Sequence, residues 1–203
     1  MKKILFIFTG SLIALLAYAF SGNSTDKAPQ VFCPPKDFVV NLNIPPEAYT
    51  DKNFDVSDDE ELALLMFPPE YVAESIENYQ PYLESTRTGR LRAPLHVNVR
   101  KSSHFNWHIN PDHARALPHG PDLYTDTDEE EFGWRVSSFD GEQFHPWGRC
   151  SDDFNGSLSC FRDLKVGKLW LKYVVQAENI AYYPEIDAFL TEHVTAWRCD
   201  SKQ

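Results

Sequence analysis

Cys150 and Cys160 bracket the stretch CSDDFNGSLSC, and their spacing constrains the fold more than any other feature of the chain. Asn155-Gly156 is a turn signal between two runs of strand chemistry. A three-residue loop, Phe154-Asn155-Gly156, puts Gly156 in the left-handed position that glycine tolerates. Counting outward from that loop brings Cys150 directly opposite Cys160, whereas a two-residue Asn-Gly loop misses by one. The spacing therefore predicts a hairpin stapled by Cys150–Cys160. The remaining pair is Cys33–Cys199, which would tie the first strand to the end of the last helix. Closing so long a loop is worth up to roughly 5 kcal/mol in the chain-entropy view. No CxxC occurs, so zinc-finger spacing is absent. An even cysteine count suits an oxidising compartment.

The N-terminus agrees with that compartment. Lys2 and Lys3 form a short positive region, Ile4 to Phe20 is almost wholly apolar, and Ala17-Tyr18-Ala19 fits the small-x-small cleavage rule. Residues 1–19 are expected to be a cleaved signal peptide, 20–30 a disordered linker, and 31–203 a single domain. The apolar run is at the short end of what spans a bilayer, and no second run reaches that length. The mature chain is thus expected in the periplasm or secreted, away from the membrane. The formal net charge is −11, and cleavage would remove two lysines more. That acidity disfavours nucleic acid and anionic membrane surfaces as partners and favours a basic protein.

Periodicity predicts an α+β fold: an antiparallel β-meander of four to five strands, with helices packed on one face and one of them C-terminal. Phe38 to Ile44 has strand chemistry. SDDEELALLMF reads as a helix, with Ser57 as N-cap and Glu60 as its capping-box partner. Pro69 starts a second helix to about Leu83, with Val72, Ile76, Tyr79 and Leu83 on one face. Leu95, Val97 and Val99 alternate as a strand. FGWRVSSF and EQFHPW flank the hairpin signal Asp140-Gly141. KLWLKYVVQ is apolar on both faces, as a central strand should be. Ile186, Phe189, Leu190, Val194 and Trp197 form the buried stripe of a last helix, with His193 packed beside it. Residues 101–131 read as one long inserted loop, and loops of that length tend to be functional or disordered.

That loop contains HFNWHINPDHARALPHG, which holds His104, His108, His113 and His119. Asn110-Pro111 looks like a helix start running to Leu117, and HFNWHI alternates as a strand. Two histidines four apart on a strand are about 13 Å apart, too far to chelate one ion. No HExxH, nucleophile elbow, P-loop or dinucleotide fingerprint occurs, and the acidic run DLYTDTDEEEF lacks the glycine of a calcium loop. No metal, cofactor or catalytic residue is assigned. His145, near Asp140 and Glu142, is the one histidine in a clear β context. Arg87, Arg90 and Arg92 form a small basic patch, read as a solvated loop.

The pattern favours a binding protein over an enzyme. The expected contact surface is the acidic part of the long loop, Asp122, Asp126, Asp128, Glu129, Glu130 and Glu131, rimmed by Trp107 and Tyr124. By size, charge and compartment such a chain could be an immunity protein that occludes the cleft of a basic toxin. Two alternatives stand beside this: a metal-binding protein or hydrolase using His104 to His119, and an envelope scaffold component.

Overall fold

Backbone pairing over long sequence distances, more than helix formation, organises this chain. The computed structural model describes residues 30–42, 61–85, 89–101, 105, 107–126, 133–152 and 158–200. The strands are β1 (Gln30–Phe32), β2 (Val39–Leu42), β3 (Glu61–Phe67), β4 (Tyr82–Ser85), β5 (Gly89–Arg92), β6 (Leu95–Arg100), β7 (Arg115–Ala116), β8 (Leu123–Thr125), β9 (Trp134–Phe139), β10 (Phe144–Asp152), β11 (Leu158–Val166), β12 (Leu169–Gln176) and β13 (Arg198–Asp200). Among the described residues the α-helices are α1 (Pro69–Ser75) and α2 (Tyr183–Ala196). Nine strands form one antiparallel sheet in the order β2-β3-β6-β12-β11-β10-β9-β8-β7, and β1-β13 and β4-β5 form two small ribbons.

The fold is therefore mostly β, which overturns the expected four- to five-stranded α+β meander. The largest error falls on Glu61–Phe67, expected as a helix and found as a strand. An unbroken apolar run fits either period, so the tie is settled by partners elsewhere in the chain. Leu65 pairs with Val97 and Phe67 with Leu95, and Leu62, Ala63, Leu65 and Phe67 are all buried. The expected cap at Ser57 and Glu60 lies outside the described residues. The helix begun at Pro69 stops at Ser75 and does not reach Leu83. Beyond it Asn78 is left-handed, and the buried Asn179 side chain takes both polar groups of the Gln80 backbone, at 2.7 and 3.0 Å. Tyr82–Ser85 then pairs with Gly89–Arg92. The long loop is also not a loop throughout, because it supplies β7 and β8.

Several expectations hold. Cys150 pairs with Cys160 across β10 and β11, and the two form a disulfide. The loop tip at Asn155-Gly156 is outside the described residues. Phe139 opposes Phe144 around the Asp140-Gly141 turn. β12 lies near the middle of the sheet between β6 and β11. The α2 stripe Ile186, Phe189, Leu190 and Val194 is buried, and Trp197 caps the helix at its C-terminus. Cys33 is disulfide-bonded, and the ribbon next to it pairs β1 with the strand carrying Cys199, whose side chain lies outside the description. Among the described residues no helix is long and apolar enough to cross a membrane.

One side of the sheet packs on α2. Phe67 stacks on Trp197 at 5.6 Å and meets Phe189 edge-on at 5.2 Å, while Phe38 and Tyr71 complete the aromatic cluster. His193 belongs to this packing. Its Nδ1 faces the Phe189 carbonyl at 2.8 Å, which can only accept, so Nδ1 carries a proton. In the neutral ring Nε2 then accepts from the Tyr71 hydroxyl, also at 2.8 Å. Further along the sheet, a bulge between Pro146 and Gly148 turns Trp147 toward the helix, where it meets Tyr183 at 5.2 Å. The Arg162 guanidinium lies 5.3 Å from the Trp147 ring and donates to Asp187 at 2.9 Å. Asp187 also accepts from the Tyr173 hydroxyl at 2.5 Å. Burial, then the Asp187 charge, pushes the Tyr173 phenol well above its ordinary pKa.

Two stability outcomes follow from this packing. Replacing both Cys150 and Cys160 by alanine should cost about 3 kcal/mol for a loop of this size, read from urea unfolding of the oxidised protein against the variant. Asp187→Ala should cost about 3 kcal/mol, because it leaves the largely buried Arg162 without its carboxylate partner. A loss below about 1 kcal/mol would mean that water replaces that carboxylate.

Candidate binding cleft

The edge of the sheet at β7 and β8 is built by a tight, strained loop. Leu117 donates to the Leu123 carbonyl at 2.8 Å, and Gly120 donates back to Leu117 at 3.2 Å. Within this loop His119 (φ 62°) and Asp122 (φ 53°) both take the left-handed conformation without being glycine. Each such residue costs on the order of 1 kcal/mol, so the surrounding structure must enforce it. Gly120 has no room for a side chain, since a Cβ there would come within 2.9 Å of Leu123 Cδ1.

Between this loop and the ends of the central strands lies a cleft of about 380 Å³. Ala116, Leu117, Pro118 and His119 form one wall. Trp134, Leu158 and Ile180 form the other, and Arg115 and Asp152 are its charged lining residues. The volume is in the range of small-ligand and side-chain pockets, and the lining is mainly apolar. Ile180 is held there by the 3-10 turn Ala177–Tyr182, in which Asn179 and Ile180 are buried. A second cavity of about 250 Å³, by Tyr79, His96 and Asn179, is more polar. Burial raises the Tyr79 phenol to about 12.

The expected contact residues divide. Asp122 is exposed on the strained loop. The Asp126 carboxylate accepts from the Asn110 backbone N–H, so it pins the segment before it. Asn110 in turn caps the turn Pro111–His113 by accepting from Asp112 at 3.1 Å. The cap is as expected, but the helix is a single 3-10 turn and Arg115–Ala116 is a strand. No strand is formed at residues 107–110. Trp107 is half-buried beside Phe105 at 4.6 Å, and its indole N–H is buried with no hydrogen-bond acceptor among the described residues. Tyr124 packs edge-on against Phe139 and Phe144. The two rings thus belong to different clusters. Asp128, Glu129, Glu130 and Glu131 lie outside the described residues.

His108, His113 and His119 are exposed, and His104 is outside the described residues. Among the described residues no three histidine, cysteine or carboxylate side chains are grouped to hold a metal ion. His145 is part of a turn: its Nε2 lies 2.7 Å from Asp140, whose other oxygen accepts from the Glu142 and Gln143 backbone, each at 2.9 Å. In the arginine patch, Arg92 pairs with Glu70 and Arg90 lies over the Tyr82 ring. The cleft residues Trp134, Leu158 and Ile180 carried no sequence signal, because they come from three separated stretches that only the sheet brings together.

A scan against protein-family models found no match, and searches of curated proteins and of solved structures found none.

The Gln143 backbone bond, the His145 contact and the Glu142 bond hold Asp140 down at about 2. Because that lies below its unfolded value, the turn's contribution to stability is present above about pH 4 and fades as pH falls through about 2. An NMR titration of the Asp140 carboxyl carbon should show that midpoint, and His145→Ala should raise it.

Proposed function

We propose that this chain is an exported binding protein that grips a basic protein partner at the cleft beside β7 and β8. The observation that carries this reading is the pairing of an apolar cleft with acidic connections. Thr125 and Trp134 both line the cleft, so the connection between them, which carries Asp128, Glu129, Glu130 and Glu131, starts and finishes at its walls. Asp152 and Leu158 do the same for the connection carrying Asp153. A partner side chain that is apolar, flanked by lysine or arginine, suits such a site. The buried apolar contact supplies affinity, and the carboxylates supply orientation and association rate. The His119 and Asp122 strain also supports a recognition role, since strained backbone concentrates at ligand clamps. A basic toxin enzyme is the partner class that size and charge fit, and occlusion of its cleft would make the chain an immunity protein.

The test uses the protein as bait for periplasmic and culture-supernatant proteins, with mass-spectrometric identification and titration calorimetry on what binds. Ala116→Trp fills the cleft from an exposed position and should weaken binding at least about tenfold. Asp128→Lys with Glu130→Lys should slow association and flatten its salt dependence. Asp126 is left intact because it anchors Asn110. Binding that is indifferent to both changes would place the interface elsewhere.

A further inference from the structure

We propose that the open end of the seam between β6 and β12 is a binding site for a small uncharged polyhydroxylated molecule, the size of a single sugar. Strand pairing makes the space. β6 and β12 pair as far as Val97 and Tyr173. Beyond that point β12 stays on β11 to Gln176 and β6 stays on β3 to Leu95. The two strands therefore part while each is still held from its other side. Pro94, just before β6, has no backbone N–H with which to resume the pairing. The cavity of about 250 Å³ beside Tyr79 lies in this fork. Its lining reports the opening. Val175 and Ile186 belong to the buried helix side, whereas His96, Val174 and Gln176 alternate to the other side. One cavity takes residues from both sides of a sheet where neighbouring strands separate.

The walls decide the class of ligand. Tyr79 lines the cavity, is only 7% exposed, and its hydroxyl has no hydrogen-bond partner among the described residues. That hydroxyl is not one of the unpartnered polar atoms sealed from solvent, so it stays reachable from the cavity that the ring lines. Buried hydroxyls are rarely left unmatched, and this one marks a place for a ligand atom. Its position is fixed in advance. Asn78 before it is left-handed, and the buried Asn179 side chain holds Gln80 after it through both backbone polar groups. Such preorganisation lowers the cost of binding. The Gln176 amide and the His96 imidazole, also in the lining, have no hydrogen-bond partner among the described residues. Phenol, amide and neutral imidazole each donate and accept, as the hydroxyl groups of a sugar do. Arg92 is the lining residue with a permanent charge, and it already donates to both oxygens of Glu70, so a charged ligand is poorly matched. A wholly apolar ligand would leave the Tyr79 hydroxyl unmatched. Leu83, Val175 and Ile186 suit the C–H faces of a sugar ring. The volume equals about eight waters by their share of the liquid, room for one such ring.

The experiment uses saturation-transfer NMR and titration calorimetry on the purified full chain, with glucose, galactose, mannose and N-acetylglucosamine as probes. Acetate and phenol are the charged and apolar comparison probes. At least one of the sugars should bind at millimolar concentration, and more tightly than acetate or phenol. Tyr79→Phe keeps the ring and removes the hydroxyl. It should weaken sugar binding at least about tenfold. It should also leave the thermal melt unchanged, a readout that a hydroxyl held by the protein itself would move. Gln176→Ala should weaken binding a few-fold. No binding of any of these sugars, tighter binding of acetate or phenol, a Tyr79→Phe variant that binds sugar unchanged, or one that melts clearly lower would each overturn the proposal. The cleft variant Ala116→Trp should leave sugar binding unaltered, so this site and the protein-binding cleft stand or fall separately.

Discussion

The pairing of β6 with β12 holds the two halves of this protein together. On one side of that seam lie β2, β3 and β6 from the first half of the chain; on the other lies the run of strands from β12 out to β7. Val99 opposes Leu171 and Val97 opposes Tyr173, and all four are buried. The same strands carry the helix-side core, and Tyr173 reaches Asp187 on α2. Among the described residues this is the pairing in the large sheet that joins the side carrying Phe67 to the side carrying Trp147 and Arg162, and α2 spans both, with Phe189 on Phe67 and Asp187 on Arg162.

The seam also explains the histidine-rich segment. Five strands lie between β6 and β7, about 29 Å along the sheet at the usual strand spacing. Residues 101–114 must cover that distance, which is a geometric reason for a long connection that requires no ligand. Asn110, which caps the following turn through its side chain and is held by Asp126 through its backbone N–H, fixes where this connection lands. The edge strand it feeds, β7, is only two residues long, and such brevity protects a sheet edge from pairing with another chain. At the opposite edge, β2 is interrupted by an irregularity between Val39 and Asn41.

Local chemistry was readable and long-range chemistry was not. The Cys150–Cys160 register follows from turn geometry within eleven residues of sequence, and the α2 stripe follows from its own period. Glu61–Phe67 is a strand that also reads as a helix, because Leu62, Leu65 and Met66 fit a helix face as well, and the partners that decide lie in β2 and β6. The strands β7 and β8 leave no legible pattern because they are only two and three residues long. Of the expected contact residues, Asp122 is found exposed at the strained loop, whereas Asp126, Trp107 and Tyr124 turn out to be engaged in local packing or hydrogen bonds. The cleft walls depend on which strands are neighbours, and no single stretch of sequence carries that information.

The position of the seam has a consequence for how the chain is made. β6 is complete by Arg100, but its second partner, β12, does not begin until Leu169. Any chain emerging from its N-terminus therefore carries β6, with its apolar Val97 and Val99, bare along the edge that β12 will occupy until most of its length is available. Unpaired edges of that kind invite pairing with other molecules, and closing such distant pairs is slow. The nascent form should be the vulnerable one, the completed sheet the safe one, and a holding factor that occupies β6 during synthesis would act at the step where this topology is weakest.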